Sequence, residues 1–176
     1  MTAQSFIYFD EMESPIGPLT ILATNVGVCS IFFGWMEKSL PAIHAWLKKN
    51  GLKGELIRSE HQLRQAICEL KEYFSRKRFE FTVPLHLFGS SFQKKVWQEV
   101  CKVQYGETVS YKEIARRIGA PKAVRAVGGA NNKNPIPIII PCHRVIGSNG
   151  AMVGYGGGLK KKEALLKLEG ALKKIS

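Results

Sequence analysis

Residues 110–132 read SYKEIARRIGAPKAVRAVGGANN, and this stretch decides the architecture of the second half of the chain. Ser110 followed three residues later by Glu113 is a capping box, which predicts a short helix that ends at Gly119. Pro121 predicts the start of a second helix, because proline fits the first helical position. Two short helices joined by a tight turn are typical of a helix-turn-helix, although many such pairs bind nothing.

The second helix of this pair carries small residues in place of large ones. Ala123, Ala126 and Gly128 are among them, and the most prominent large side chain is Arg125. A glycine inside a helix costs about 1 kcal/mol relative to alanine, so a close approach to another surface would offset a real cost. A nucleic acid groove is a surface of the kind that such a helix could approach.

The distribution of charge favours the same kind of partner. Residues 1–88 hold 10 Lys and Arg against 9 Asp and Glu, whereas residues 89–176 hold 16 against 5. Nearly the whole net charge of +12 therefore lies in the second half. An even spread would indicate only a basic protein, but this asymmetry predicts a polyanionic partner.

Length and composition set the class of protein. The 176 residues are 45% hydrophobic and 23% charged, which is typical of one globular domain or two small ones. No apolar run approaches the roughly 20 residues of a membrane span, and the acidic N-terminus does not resemble a signal peptide. We expect a soluble cytoplasmic protein that has no membrane partner.

The first half reads as a small α/β domain, residues 1–88. β-forming runs on either side of the turn at residues 25–27 predict a hairpin, and FIYFDEM upstream predicts a third strand. A short helix is predicted to start at Ser39 and a longer one at Glu60, and residues 79–89 read as a strand or an extended link. We expect an antiparallel sheet here.

Residues 89–176 read as a mainly helical domain that contains the helix-turn-helix, so the predicted fold class is α+β. Ser90 and Ser91 are candidate caps for a helix over FQKKVWQEVCKV, in which Cys101 reads as a small core residue. A last helix, about Leu159 to Glu169, is predicted to be amphipathic, with Leu159 on its apolar side.

The spacing of the cysteines argues against a metal site. Cys29, Cys68, Cys101 and Cys142 are each separated from the next by more than thirty residues, and no CxxC pair occurs. Zinc-ribbon and thioredoxin-like sites therefore do not fit, and the scattered histidines share no ligand spacing. We expect no metal and no cofactor.

Cys142 stands apart from the other cysteines because of its neighbours. In NPIPIIIPCHRVIGSNGAMVGYGGG, residues 134–158, an apolar run leads into Pro141, Cys142, His143 and Arg144. A thiol reacts as its thiolate, so a reactive cysteine needs a base or a positive charge nearby. The alternatives are a buried cysteine that ends a strand, or the nucleophile of a Cys–His hydrolase. Tyr155 in the glycine-rich loop could stack on a ligand or belong to the core.

These segments resemble the O6-alkylguanine-DNA alkyltransferases, also called methylated-DNA–protein-cysteine methyltransferases. The resemblance runs almost continuously from about Phe92 to Gly170, and its most specific part is PCHRV at residues 141–145. It is carried further by FQKKVWQEV, YGETVSYKEIARRIG and GYGGGLKKKEALLKLEG. The first half is similar only in outline.

The resemblance implies a role for each matching residue. Cys142 would accept the alkyl group, His143 would act as its base through a water, Glu169 would orient His143, and Tyr111 would donate toward the base ring. Arg125 would replace the flipped nucleotide. The remaining implied positions are the DNA-facing Ala123, Ala126 and Gly128, the hinge Asn134, and the guanine pocket of Val145, Tyr155 and Gly156. Arg144 is expected to be a structural anchor.

The resemblance also implies the reaction. The alkyl group of O6-alkylguanine, and of O4-alkylthymine, in double-stranded DNA would pass to Cys142 after nucleotide flipping from the minor groove. The thioether is stable, so each molecule would act once. We expect a monomer that can cluster on DNA, in a prokaryote near the nucleoid. The rival interpretations are a Cys–His hydrolase and a DNA-binding protein without activity, either a helix-turn-helix regulator or an alkyltransferase-like protein. Family members without activity lack the cysteine that Cys142 supplies.

Overall fold

The chain divides into two compact units, residues 1–88 and residues 89–176. The structure is a computed structural model, and it describes residues 5–172. No helix in that range is both long and apolar enough to cross a membrane.

The first unit is built on a four-stranded sheet with the order β3–β2–β1–β4. The predicted hairpin and third strand are confirmed, since β2 pairs antiparallel with both β1 and β3. β4 was not predicted, and it pairs with β1 in parallel, so the sheet is mixed rather than purely antiparallel. The strands are β1 (Phe6–Met12), β2 (Leu19–Ala23), β3 (Val28–Phe33) and β4 (Glu55–Arg58).

Two helices accompany this sheet, α1 (Met36–Lys49) and α2 (Glu60–Phe74). The prediction that α1 starts at Ser39 was wrong by three residues. The backbone N–H of Met36 donates to the carboxylate of Glu11 in β1 at 2.7 Å, which satisfies a helix-end donor that no local side chain caps. The cap therefore comes from a distant strand. The shared core of sheet and α1 contains Ile7, Leu22, Cys29, Ile43 and Leu47.

Residues 79–89 form an extended link rather than a full strand. A single bridge joins Leu85 to Val28, where the N–H of Val28 donates to the carbonyl of Pro84 and the N–H of His86 donates to that of Val28. The link is tied to α2 by Glu69, whose buried carboxylate accepts hydrogen bonds from the backbone of Thr82 and Val83. The link therefore pairs with the edge strand β3 over a very short length.

The second unit is mainly helical. Ser90 caps its first helix through a complete capping box with Gln93. Cys101, predicted to be a core residue, is exposed at the end of this helix. The elements are α3 (Ser91–Val100), β5 (Val109–Ser110), α4 (Tyr111–Arg117), α5 (Val124–Asn132), β6 (Val145–Ile146) and α6 (Leu159–Leu168).

Helices α4 and α5 form the helix-turn-helix. The Ser110 hydroxyl accepts a hydrogen bond from the N–H of Glu113 at 3.0 Å, as the capping box predicts. The Glu113 carboxylate, however, pairs with Arg116 and Arg117, which lie one turn along the helix. In a capping box the Glu113 carboxylate would also accept from the backbone N–H of Ser110. That part of the prediction was wrong, because nearby cations on the same face compete for the carboxylate.

The second helix of the motif starts later than predicted. Residues 120–123 form a turn in which the N–H of Ala123 donates to the carbonyl of Ala120, and α5 begins at Val124. Helix α5 is held from behind by Trp97 of α3, whose indole N–H donates to the carbonyl of Ala130 at 2.8 Å. Trp97 is 2% exposed, so this hydrogen bond lies in the core and fixes the position of α5 relative to α3.

Candidate active site

The segment that leads to Cys142 is a buried turn and not a strand. Its prolines lack the N–H groups that a strand needs, and the N–H of Ile140 donates back to the carbonyl of Ile136 at 2.9 Å. Ile138 has a φ of +76°, which is strained for a β-branched residue. Asn134 closes the turn, because its amide donates to the carbonyl of Ile140 and accepts from the N–H of Ile136.

Cys142 opens a single 3-10 turn, Cys142–Arg144, at the end of this segment. Its side chain is buried, with the residue 3% exposed. The amide of Asn131 in α5 donates to the carbonyl of Cys142 at 3.2 Å, so the turn is fixed directly to the helix-turn-helix. The strand pair β5–β6 then places the residues after the turn beside Ser110, which begins α4. The contact from Asn131 and the β5–β6 pair therefore fix Cys142, Tyr111 and helix α5 relative to one another.

His143 and Glu169 form a buried pair. Nε2 of His143 lies 2.7 Å from the Glu169 carboxylate, and both side chains are fully buried. Because Glu169 is ionised, Nε2 carries the proton and Nδ1 keeps its lone pair. Within residues 5–172, Nδ1 of His143 has no hydrogen-bond partner although it is buried. A buried base is thus held in one orientation with its accepting nitrogen free.

Arg144 shares the same carboxylate. Nε and Nη2 of Arg144 donate to the two oxygens of Glu169 at 2.8 and 3.0 Å, and Nη1 donates to the carbonyl of Val103 at 2.6 Å. This is a bidentate, buried arrangement in which three segments meet. The structural anchor expected of Arg144 corresponds to these contacts.

Burial dominates the ionisation of the site. It raises the pKa of the Cys142 thiol to about 11, although the Asn134 side chain and the charge of Lys162 act in the opposite direction. Burial also lowers the pKa of His143, and Glu169 only partly offsets this. For Glu169 itself burial would raise the pKa, but hydrogen bonds from His143 and Arg144 and the positive charge of Arg144 lower it to about 2. The resting site therefore holds a thiol, a neutral imidazole and a carboxylate.

Tyr111 faces the glycine-rich segment that follows β6, which we name the 147–158 loop. The Tyr111 hydroxyl donates to the carbonyl of Val153 at 2.7 Å. Its pKa is raised by burial, with the neighbouring Cys142 adding to the effect, so the phenol stays protonated. Helix α5 passes close by, since a Cβ built on Gly128 would lie 3.9 Å from the Tyr111 ring.

The residues expected to form the pocket differ in accessibility. Val145 is fully buried and Tyr155 is 8% exposed, while Gly156 is exposed. A Cβ on Gly156 would lie 3.3 Å from the carbonyl oxygen of Asn132, which is a tight contact. Glycine therefore allows the 147–158 loop to lie close to the end of α5.

The outer face of the helix-turn-helix carries the residues expected to meet DNA. Arg125 and Ala126 are exposed, whereas Ala123 and Gly128 are partly buried. No hydrogen bond or ion pair to the Arg125 side chain occurs among residues 5–172, so this side chain is not committed to the fold. A free guanidinium on a helix of small residues suits insertion into a groove.

Two residues of the site were missed at the level of sequence. Asn131 holds the carbonyl of Cys142, and Lys162 is fully buried in α6 although it belongs to a run of three lysines. The spacing of Lys162 with Leu165, Leu166 and Glu169 is helical, and this periodicity could have indicated its burial. Leu159, expected on the apolar side, is instead 51% exposed.

No group of three or more His, Cys, Asp or Glu residues within the described range is placed to hold a metal ion. Cys29 and Cys142 are buried, while Cys68 and Cys101 are exposed.

Comparisons with known proteins agree with this geometry. Residues 7–87 match the family described as 6-O-methylguanine DNA methyltransferase, ribonuclease-like domain, and residues 91–171 match its DNA binding domain. A methylated-DNA–protein-cysteine methyltransferase of Methanosarcina barkeri is 46% identical over 163 residues, which are 93% of this chain and 97% of the relative.

Solved structures give the same result. The crystal structure of the Mycobacterium tuberculosis O6-methylguanine methyltransferase has a TM-score of 0.79 and 40% identity, covering 94% of this chain and 93% of that one. The same mycobacterial protein in complex with DNA has a TM-score of 0.78 and 39% identity over the same shares of the two chains.

A helix-turn-helix unit that holds a buried cysteine next to a buried histidine–glutamate pair defines a class of DNA-binding proteins. With both family matches covering most of its length, the chain belongs to the methylated-DNA–protein-cysteine methyltransferases, a family of DNA-repair enzymes. The resemblance drawn from residues 92–170 is confirmed, and so are the methyltransferase class and the α+β fold class.

Proposed function

We propose that this protein repairs DNA by moving the alkyl group from O6 of guanine onto the Sγ atom of Cys142. The observation that carries the proposal is the buried Cys142 thiol, fixed by Asn131 to a helix-turn-helix and followed directly by the His143–Glu169 pair. A hydrolase would have no need of the exposed Arg125 or of a net charge of +11 in the unit that holds the thiol. Family membership supports the same reaction.

The first step is loss of the thiol proton. At a pKa of about 11 the resting thiol is a weak nucleophile, so it needs a base as the alkyl carbon approaches. Nδ1 of His143 is the free acceptor, and a bridging water would carry the proton from Sγ to it. Glu169 stabilises the imidazolium that results. A protonated resting thiol also limits reaction with other electrophiles.

The second step is the displacement itself. The sulfur electron pair forms the S–C bond as the C–O6 bond breaks, and the electron pair of that bond stays on the guanine ring. Tyr111 donates its phenolic proton to the ring and recovers a proton from the imidazolium through solvent. Guanine leaves neutral, and Cys142 holds a thioether. Val145, Tyr155 and Gly156 would line the pocket, and Asn134 would act as the hinge between the helix-turn-helix and the Cys142 segment.

The target nucleotide has to leave the base stack before this displacement can occur in line. Unstacking costs a few kcal/mol, and a side chain inserted in its place recovers part of that cost. Arg125 would fill the gap from the minor groove, with Ala123, Ala126 and Gly128 allowing α5 to lie close. Contacts to phosphates carry no sequence information, which suits a lesion that can occur anywhere.

The thioether has no route back to a thiol. Hydrolysis of a C–S bond is not supported by any group of the site, and the other cysteine of the second unit, Cys101, lies exposed at the end of α3. Each molecule would therefore act once. O4-alkylthymine offers the same exocyclic ether and would be a second substrate. The protein would work as a monomer, able to cluster on DNA, in the compartment that holds the chromosome, the cytoplasm of a prokaryote.

Intact-mass measurement tests the proposal. The protein is mixed with an excess of duplex DNA carrying one O6-methylguanine, and we expect a gain of one methyl group per molecule, located on Cys142 by peptide mapping. A further addition of damaged DNA should add nothing. An unchanged mass together with tight binding of the lesion would reject transfer and favour a DNA-binding protein without activity.

Replacing Arg125 with alanine should separate flipping from chemistry. We expect repair of duplex DNA to slow by about tenfold or more, because the flipped state loses the side chain that fills the stack. Reaction with free O6-benzylguanine should change by less than about twofold, since no base has to be flipped. The two rates are measured by single-turnover kinetics. Lys122→Ala, an exposed cation just before α5, is the matched control and should show only a small loss that salt suppresses. Equal losses on both substrates would remove the flipping role from Arg125.

A further inference from the structure

Lys162 is a buried cation with no anionic partner. The residue is 0% exposed, and within the described residues no ion pair to its ammonium group occurs. Burying a charge is unfavourable unless hydrogen bonds compensate for lost water. Three carbonyls do so: Nζ donates to Val145 at 2.6 Å, to Val153 at 3.1 Å and to Gly154 at 3.5 Å. All three donor positions of the ammonium group are thus used.

These carbonyls belong to two segments that the site needs together. Val145 follows the turn that holds Cys142, and Val153 and Gly154 lie in the middle of the 147–158 loop. Lys162 therefore joins α6 to both of them. The loop contains six glycines, three of which adopt positive φ, so its backbone loses much entropy when it is ordered. The hydrogen bonds from Lys162 add to the few within the loop and help to hold it in one conformation.

The carbonyl of Val153 accepts from two donors, Lys162 and the Tyr111 hydroxyl. In the proposed reaction Tyr111 turns to the guanine ring and gives up this hydrogen bond. The hydrogen bond from Lys162 to the Val153 carbonyl does not depend on the Tyr111 hydroxyl, so it remains available when Tyr111 leaves. The loop can then keep its position while Tyr111 changes partner.

We infer that Lys162 is a positioning residue that clamps the 147–158 loop over the Cys142 site, and in particular holds the Val153 carbonyl when Tyr111 binds the alkylated base. The inference rests on the proposed function for its role in catalysis, whereas the clamp itself can be tested without substrate. Burial lowers the pKa of Lys162 to about 8, so the group is still mainly protonated near pH 7, and its positive charge then favours the thiolate of Cys142.

The test compares Lys162→Met with Lys160→Met, which alters an exposed lysine two residues earlier in the same helix. Methionine keeps the unbranched shape and most of the length of the side chain, and it removes the donors. Hydrogen–deuterium exchange of the free protein should become about tenfold faster or more in the 147–158 loop of Lys162→Met, with α3 and α5 unchanged. Lys160→Met should exchange like the original protein. Unchanged exchange in the loop of Lys162→Met would overturn the inference.

A kinetic readout separates positioning from general stability. For Lys162→Met the half-saturating concentration of free O6-benzylguanine should rise by about tenfold, because an open loop binds the base poorly. The maximal rate should fall by a smaller factor. A loss confined to the maximal rate would overturn the clamp. If the original protein fails to react with O6-benzylguanine while the exchange result holds, the proposed function is wrong and the clamp stands.

A second variant covers the case in which Lys162→Met does not fold. Tyr111→Phe removes the other donor to the Val153 carbonyl and leaves Lys162 in place. The inference predicts loop exchange within about twofold of the original protein, because the remaining ammonium group is a stronger, charged donor. A tenfold increase in Tyr111→Phe would make Tyr111 the latch and overturn the assignment to Lys162.

Discussion

Replacing Cys142 with serine is expected to abolish methyl transfer and to leave binding of the damaged duplex intact. Oxygen is a poorer nucleophile than sulfur and is harder to ionise. Burial already raises the pKa of the thiol to about 11, and it opposes an alkoxide in the same place even more strongly. The change removes no contact that holds α5, so the DNA-binding surface should be preserved. Intact mass after incubation with O6-methylguanine DNA and a gel-shift titration measure the two properties.

Cys101→Ser is the matched control for this variant. Cys101 is an exposed thiol at the end of α3 in the same unit, and its replacement should leave one methyl group per molecule. Transfer that persists in Cys142→Ser at the rate of the original protein would show that another residue is the acceptor. If Cys142→Ser loses DNA binding as well as methyl transfer, Cys142 also supports the DNA-binding surface.

Replacing Glu169 with glutamine is expected to cost about 3–5 kcal/mol of folding free energy, the range found when one partner of a buried ion pair is removed. The glutamine NH2 group is a donor, and it would face the N–H donors of His143 and Arg144. The Arg144 guanidinium would also stay buried without a carboxylate partner. Reaction with O6-benzylguanine should also slow by about a hundredfold, because His143 loses the group that orients it and stabilises its protonated form. Urea denaturation and single-turnover kinetics provide the measurements.

The stability that Glu169 contributes is expected to depend on pH. The pKa of Glu169 is lowered in the folded protein from its ordinary 4.5 to about 2. A carboxylate with a lowered pKa stabilises the fold above its unfolded pKa, and this contribution is lost as the pH falls from about 4.5 towards 2. The difference in stability between the original protein and Glu169→Gln should therefore be largest near pH 7 and should narrow below pH 4.5.

Glu163→Gln is the control for the same helix. Glu163 lies on the surface of α6, paired with Lys167 at 3.3 Å, and its replacement should change stability by less than about 0.5 kcal/mol. If Glu169→Gln is too unstable at 25 °C, its rate can be measured at a lower temperature where it remains folded. A variant that is stable and fully active would contradict the role assigned to Glu169.

Local patterns predicted most of the elements and failed where a distant residue intervened. The hairpin of β2 and β3 and the capping of α3 follow from nearby residues, and both are present. The start of α1 was misplaced because its cap is Glu11, which lies in a strand twenty-five residues earlier. Helix α5 begins three residues after Pro121, since a turn at Ala123 precedes it. β4 is four residues long, too short for periodicity to reveal.

Some residues of the candidate site could be found from the sequence, and others could not. The reactive types stand side by side in PCHRV, so Cys142 and its neighbours could be found from residue order alone. Asn131 could not be assigned in that way, because an asparagine at a helix end is an ordinary surface residue. For Lys162 the helical periodicity could have indicated burial, but not which groups its ammonium binds. Their partners are backbone carbonyls, which carry no signature in the sequence.

The sequence by itself determined the chemistry that this protein can offer: one thiol beside a histidine, next to a basic helix pair with an arginine among small residues. Such features are set by residue identity and by spacing along the chain. Tertiary structure alone decided the ionisation of the thiol, the tautomer of His143 and the placement of Lys162, because these depend on burial and on groups brought from α6. Loss of water around a charge is a property of the packed site, and it raises the pKa of the Cys142 thiol well above that of an exposed cysteine.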